Sequence, residues 1–159
     1  IAEALWQPPC MNLPKMWSLF GADHLPYRLL LLARMIDRQT ARQLQQEFGI
    51  ALAEWRVLAF VCAAGPATAS TVGHSGGIDR AEISRAVAKL EAKGLIARQP
   101  DADNRRRLII SPTQSGDALF ALIRDDRRVF FRSLLADISA DERAIVEASI
   151  ERMASSLRA

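Results

Sequence analysis

The stretch from Gly77 to Gly116, GIDRAEISRAVAKLEAKGLIARQPDADNRRRLIISPTQSG, constrains this chain more than any other part of it. Asp79 is suited to cap a helix, because its carboxylate can accept from the free amides of the first turn, and Glu82 stands three residues on in a capping-box-like pair. Ile83, Val87 and Leu90 recur at helical spacing and are expected to face a core. Arg80, Ser84, Arg85 and Lys89 fall on other faces. Gly94 after Lys93 is the expected stop.

Leu95–Arg98 and Leu108–Ile110 then read as two short strands rich in branched residues. Between them lie Pro100, Asp101, Asp103 and Asn104, all turn formers, followed by Arg105, Arg106 and Arg107 in a row. Neighbours in a strand point to opposite faces, so at least one of these arginines must leave the packed side of the sheet. Asp101 and Asp103 are the acids at hand, and one is expected to brace an arginine across the turn. A basic helix taken alone is usually just a solvated face, yet a helix joined directly to an arginine-tipped hairpin is how a winged helix reads duplex DNA. The helix enters the major groove and the hairpin reaches phosphate or minor groove.

The chain resembles the MarR family of bacterial transcription regulators. The residues that carry the likeness are Ile83-Ser84-Arg85 with Val87 and Leu90, the Lys93-Gly94-Leu95-Ile96 junction, Asp103-Asn104-Arg105-Arg106, and Thr113 with Gly116. The resemblance spans about Pro26 to the end of the chain. It implies a mainly α (α+β) winged helix-turn-helix whose N- and C-terminal helices form a dimerisation domain. Residues 1–50 and 113–159 would be the dimerisation region and 51–112 the DNA-binding region. It further implies that Arg80–Lys93 is the recognition helix, that Ser84 and Arg85 match a Ser-Arg pair contacting phosphate and base edges, and that Arg106 matches an arginine entering the minor groove. The DNA-binding set is therefore Arg80, Ser84, Arg85, Lys89, Arg105, Arg106 and Arg107.

The sequence departs from the family pattern in three places. Asn104 stands where an aspartate is usual, with Asp103 one place earlier, which shifts or removes the expected brace. Pro112 replaces a usual leucine, so the second wing strand is expected to end early. Val72-Gly73 stands for Leu-Ala, and Gly76-Gly77 follows. Glycine costs roughly 1 kcal/mol relative to alanine inside a helix, so the helix before the recognition helix, capped by Ser70 or Thr68, is expected to be short and weak.

Long apolar faces flank this centre. Leu29, Leu30, Leu32, Ala33, Ile36, Leu44 and Phe48 line a first helix, and Trp55, Leu58, Ala59 and Cys62 are expected to face inward from a second. Leu119, Leu122, Ile123, Phe130, Phe131 and Leu134 mark a helix near the end, and Ile145, Val146, Ile150, Met153 and Leu157 the last, with Ser139 and Glu142 as its cap. One small winged domain cannot cover so much apolar surface, so a homodimer is expected. A twofold pair would set two recognition helices roughly 34–36 Å apart on a pseudo-palindromic double-stranded DNA operator.

Charge agrees with this. Arg80–Arg107 holds eight basic residues against four acids, an excess larger than the +3 net charge of the whole chain, so the basic field is local. Half the residues are hydrophobic, which places the chain among folded globular proteins rather than disordered ones. No apolar run approaches the ~20 residues of a membrane helix, and no membrane partner is expected. No secretory signal is evident, so a cytoplasmic location is the expectation. The chain opens on Ile1 rather than methionine, which leaves its native start open.

His24 and His74 are fifty residues apart, and neither a Ser/His/Asp pattern nor a phosphate-cradling loop accompanies them. Gly73–Gly77 has only a superficial likeness to an oxyanion loop, so no catalytic activity, metal or cofactor is expected. Cys62 reads as a small core hydrophobe. Cys10, in a Pro-Pro-Cys arm, is a redox-sensing alternative by resemblance to some family members, and a winged module that binds protein is another.

The resemblance implies an effector, a small aromatic or phenolic anion or its conjugate, in a cleft beside the winged domain. That cleft would draw on Trp17, Phe20, His24, Tyr27, Arg28, Trp55, Arg56 and His74. Core or dimer packing is the alternative role for Trp17, Phe20, Tyr27 and Trp55. The function expected is a ligand-responsive regulator, acting as a repressor that leaves its operator when the effector binds.

Overall fold

The computed structural model describes residues 13–18, 24–102, 104 and 106–157. Cys10, Phe20, Asp103 and Arg105 lie outside the described residues. The chain divides into two compact units, Ile1–Leu52 and Ala53–Ala159.

In the first unit a 3₁₀ turn, Lys15–Ser18, precedes α1, Leu25–Gln43. Pro26 sits in the first turn of α1, where its missing N–H costs no bond. A π turn, Leu44–Phe48, continues α1 and closes at Gly49. Leu31, Thr40, Leu44 and Ile50 are buried, whereas Leu30, Leu32 and Met35 are exposed. The apolar face expected on this helix is therefore largely open to solvent within one chain.

The second unit contains α2 (Leu52–Ala64, its first residue in the first unit), β1 (Ala67–Thr68), α3 (Ala69–Gly76), α4 (Arg80–Ala92), β2 (Ile96–Pro100), β3 (Leu108–Pro112), α5 (Gln114–Leu134) and α6 (Ala140–Ser156). The strands form one antiparallel sheet in the order β1-β3-β2. Leu58, Val61, Val72, Ile83, Val87, Leu90, Ile96 and Ile110 are among the side chains of the core, drawn from both helices and sheet. Full burial of such a side chain contributes roughly 1.5–3 kcal/mol.

Asp79 caps α4 as its sequence position demands, accepting from the amides of Ala81 at 2.8 Å and Glu82 at 2.9 Å. The reciprocal box forms at α6, where Ser139 and Glu142 each bond the other's backbone. The helix ahead of α4 is short but regular. Thr68, not Ser70, caps α3 by accepting from the Thr71 amide at 3.1 Å. Gly73 has a packing reason: a Cβ there would stand 2.8 Å from the Ile83 side chain, so glycine lets α3 lie close against α4.

Two expectations need correction. The second wing strand does not end early, since β3 runs to Pro112 in register with Ile96. β1 is only two residues long and pairs with Ile109 and Ile110. At Pro112, then, β3 has a strand on one side only, and proline removes no donor the sheet was using. On α2, Trp55, Ala59 and Cys62 are half-buried; the buried face is Ala53, Glu54, Val57, Leu58 and Val61. That helix is apolar nearly all round, so spacing could not select its inner face.

A tight junction sets α4 against α5. Thr113 donates from Oγ1 to the Gly94 carbonyl at 2.7 Å and from its amide to the Leu95 carbonyl at 3.1 Å. Its Oγ1 also accepts from the Gly116 amide at 3.1 Å, capping α5. A Cβ on Gly116 would fall 2.0 Å from the Leu95 carbonyl oxygen, so no larger residue fits without moving backbone.

Candidate nucleic-acid interface

Burial of Ile83, Ala86, Val87 and Leu90 rotates α4 so that Arg80, Ser84, Arg85 and Lys89 are exposed. Beyond the helix, the hairpin between β2 and β3 is closed by backbone bonds from the Asp101 amide to the Arg107 carbonyl at 3.0 Å and from the Arg107 amide to the Asn104 carbonyl at 2.8 Å. Asn104 adds an Asx-type turn, its Oδ1 accepting from the Arg106 amide at 3.1 Å. Asn104, which replaces the usual aspartate, thus orders the tip through backbone contacts. Arg106 and Arg107 are exposed there.

A groove of about 930 Å³ separates α3 and the start of α4 from the strands. Ile83, Val87 and Ile110 floor it, and His74, Arg80 and Arg98 stand on its lining.

Two ion pairs brace α4. Arg98 of β2 donates to Glu91, holding that carboxyl below its ordinary range while its own guanidinium shifts upward through the same bond. Glu54 of α2 is only 3% exposed. Its carboxylate accepts from Lys93 Nζ at 2.6 Å and stands 3.9 Å from Lys89 Nζ. Lys89, assigned to DNA from the sequence, therefore also has an acid partner. Glu54 escaped the sequence reading because nothing local marks a contact between residues 39 positions apart, as Glu54 and Lys93 are.

The residues expected at an effector site are divided between the two units. In the first unit Arg28 Nε donates to the Trp17 carbonyl at 3.1 Å, and the His24 and Tyr27 rings meet edge-on at 6.3 Å. In the second unit Trp55 stacks on Phe120, centroids 5.8 Å apart, and Arg56 beside it is half-buried. His74 lines the groove beside Arg80, and that lining includes neither Trp55 nor Arg56.

Cys62 is half-buried, and burial, followed by a hydrogen bond to Asp117 and its charge, pushes the thiol up to about 12. Such a thiol stays protonated and is a poor nucleophile. Among the described residues no helix is long and apolar enough to cross a membrane.

Residues 48–107, the span of α2, the helix-turn-helix and most of the wing, match the family model described as MarR family. Over this region the chain resembles MarR-family regulators. It is similar to the HTH-type transcriptional repressor NicR of Pseudomonas putida, 27% identical over 139 residues that cover 82% of this chain and 87% of that protein. Among solved structures it is similar to a MarR/EmrR family transcriptional regulator from Acinetobacter sp. ADP1, with TM-score 0.76, 23% identity and coverage of 86% of this chain and 96% of that one. It also shares the fold of S. aureus MepR in a DNA complex, with TM-score 0.71, 24% identity and coverage of 86% and 98%. The chain is a DNA-binding transcriptional regulator and not an enzyme. The winged helix expected from Gly77–Gly116 is the fold observed.

Proposed function

We propose that the protein is a cytoplasmic homodimeric repressor that grips a pseudo-palindromic operator and releases it when a small aromatic anion binds. One observation carries the DNA part: Arg80 and Ser84 of α4 line one groove together with Arg98 of β2, and Arg85 on the helix and Arg106 and Arg107 at the hairpin tip are exposed as well. Helix and hairpin present guanidinium groups suited to bidentate contact with phosphate or guanine. Arg105, outside the described residues, and Lys89 extend the same set. Residues 51–112 form the DNA-binding region on this reading, and 1–50 with 113–159 the dimerisation region.

Dimerisation is supported by what the second unit leaves uncovered. Leu122 of α5 is 64% exposed, and on and beyond α6 Ile145 is 66% and Leu157 89% exposed. None of the described residues of α6 is buried. A second copy is the partner that a twofold operator requires. Repression is the sense suggested by the similarity to the transcriptional repressor NicR.

The effector is an aromatic carboxylate or phenolate. Trp17, Tyr27 and His24 supply ring surface and Arg28 a cation within the first unit. Phe20, Trp55, Arg56 and His74 complete the set proposed from the sequence. Binding to the DNA upstream of its own gene, followed by fluorescence anisotropy across a salt series with nonspecific competitor, tests the reading. Tight, competitor-resistant binding that a panel of aromatic carboxylates reverses is expected. Arg28→Ala should retain the DNA and lose the release; normal release in that variant removes Arg28 from the site.

A further inference from the structure

Charged side chains are rarely buried unless they are paired, and a buried carboxylate near a solvated recognition surface needs an explanation. Glu54 is one of three buried polar or charged residues among those described, with Thr40 and Arg127. It lies in the first turn of α2, two residues beyond the end of the first unit at Leu52. Its two oxygens face two lysines one helical turn apart, Lys89 within α4 and Lys93 at its C-cap.

Three consequences follow. The C-terminal end of α4 is tied to α2 by a short charge-assisted bond, which fixes the helix more tightly than apolar contacts, which tolerate sliding. Because α4 is a single rigid element, fixing that end aims Arg80, Ser84 and Arg85 at the other. The carboxylate also holds the ammonium of Lys93 at 2.6 Å, while Lys89, 3.9 Å away, stays exposed with the cations of the N-terminal half. A recognition helix that offers lysines along its whole length gains affinity for any phosphate chain. One whose distal lysine is held inward binds DNA less but discriminates more.

We propose that Glu54 is a specificity-determining positioning residue. It anchors the C-terminal end of α4 through Lys93 and withholds Lys93 from nonspecific phosphate contact. The proposal rests on the reading of α4 as the recognition helix. Since Glu54 stands at the start of α2, displacement of that turn would pass directly to the aim of α4.

The test measures the whole chain against two probes by anisotropy: a duplex selected by the wild-type protein from a random pool, and poly(dI-dC). Glu54→Gln, verified as folded by circular dichroism, is expected to lower the ratio of selected to nonspecific affinity about tenfold. It should also steepen the salt dependence on poly(dI-dC) by up to about one unit for the released lysine. A merely structural role would weaken both probes together and would not steepen that slope. Lys93→Met supplies a second measurement should the glutamine variant not fold. It should lower the ratio similarly while leaving the poly(dI-dC) slope unchanged. An unchanged ratio in either folded variant, or a slope reduced by about one in Lys93→Met, overturns the proposal. A wild-type protein that selects no duplex at all overturns the DNA reading of α4 itself, a distinct failure.

Discussion

α4 and α6 are both capped helices with apolar residues at helical spacing, yet they end in different circumstances. α4 buries Ile83, Ala86, Val87 and Leu90 inside the chain's own core. α6 has the more complete cap, with reciprocal bonds between Ser139 and Glu142, and none of its described residues is buried. Local signals therefore specify both helices, while only tertiary partners decide which is finished. The winged centre is closed by one copy of the chain, whereas α6 leaves its apolar residues uncovered, as the proposed dimer requires.

The largest expected effect falls on the closed region. Gly116→Ala drives a Cβ into the Leu95 carbonyl, a backbone atom that cannot rotate aside. A loss on the order of 3 kcal/mol or more is expected, since overpacking against an immobile neighbour exceeds the common range. Urea unfolding followed by circular dichroism measures it, and a wild-type midpoint would show that the α4–α5 junction is looser than drawn.

Ile145→Glu tests the open region. A charge on an exposed face changes an isolated monomer little, but at an interface it leaves an unpaired buried carboxylate. Sedimentation should find the wild type dimeric and this variant largely monomeric at micromolar concentration. A variant that stays dimeric moves the interface away from α6.

The smallest effect concerns Cys62. With its thiol raised to about 12, the native protein stays protonated there while the unfolded chain ionises near the ordinary value of 9.0. A group whose folded pKa is raised contributes stability below the unfolded value and loses it as pH climbs from about 9 toward 12. Iodoacetamide at pH 8, with labelled peptides located by mass spectrometry, should leave Cys62 unmodified in native protein and modify it in denaturant. Rapid native labelling would mean that α2 opens readily.

What the sequence disclosed follows the same division. The Asp79 cap, the stop at Gly94 and the inward Ile83-Val87-Leu90 stripe depend on neighbours within a few residues, and all were legible. The inner face of α2 was not, because Leu52, Ala53, Trp55 and Val57 offer apolar groups in every direction and only packing selects among them. β1 is a two-residue strand with no periodicity to detect, and it exists because Ile109 and Ile110 supply its partners. Pro112 looked like a strand breaker until the shortness of β1 showed that its missing donor had no strand to serve. Glu54 reads as an ordinary first-turn acid, and its lysines lie on another helix.

The central claim is that α4 and the arginine-tipped hairpin jointly hold DNA, and the salt dependence of Arg106→Ala tests it most directly. Anisotropy on the selected duplex, from low to moderate salt, gives the slope of log affinity against log salt. The variant should bind more weakly, with a slope smaller by about one unit for the lost phosphate contact. Affinity and slope equal to wild type would contradict the account, because the hairpin would then not be docked on DNA.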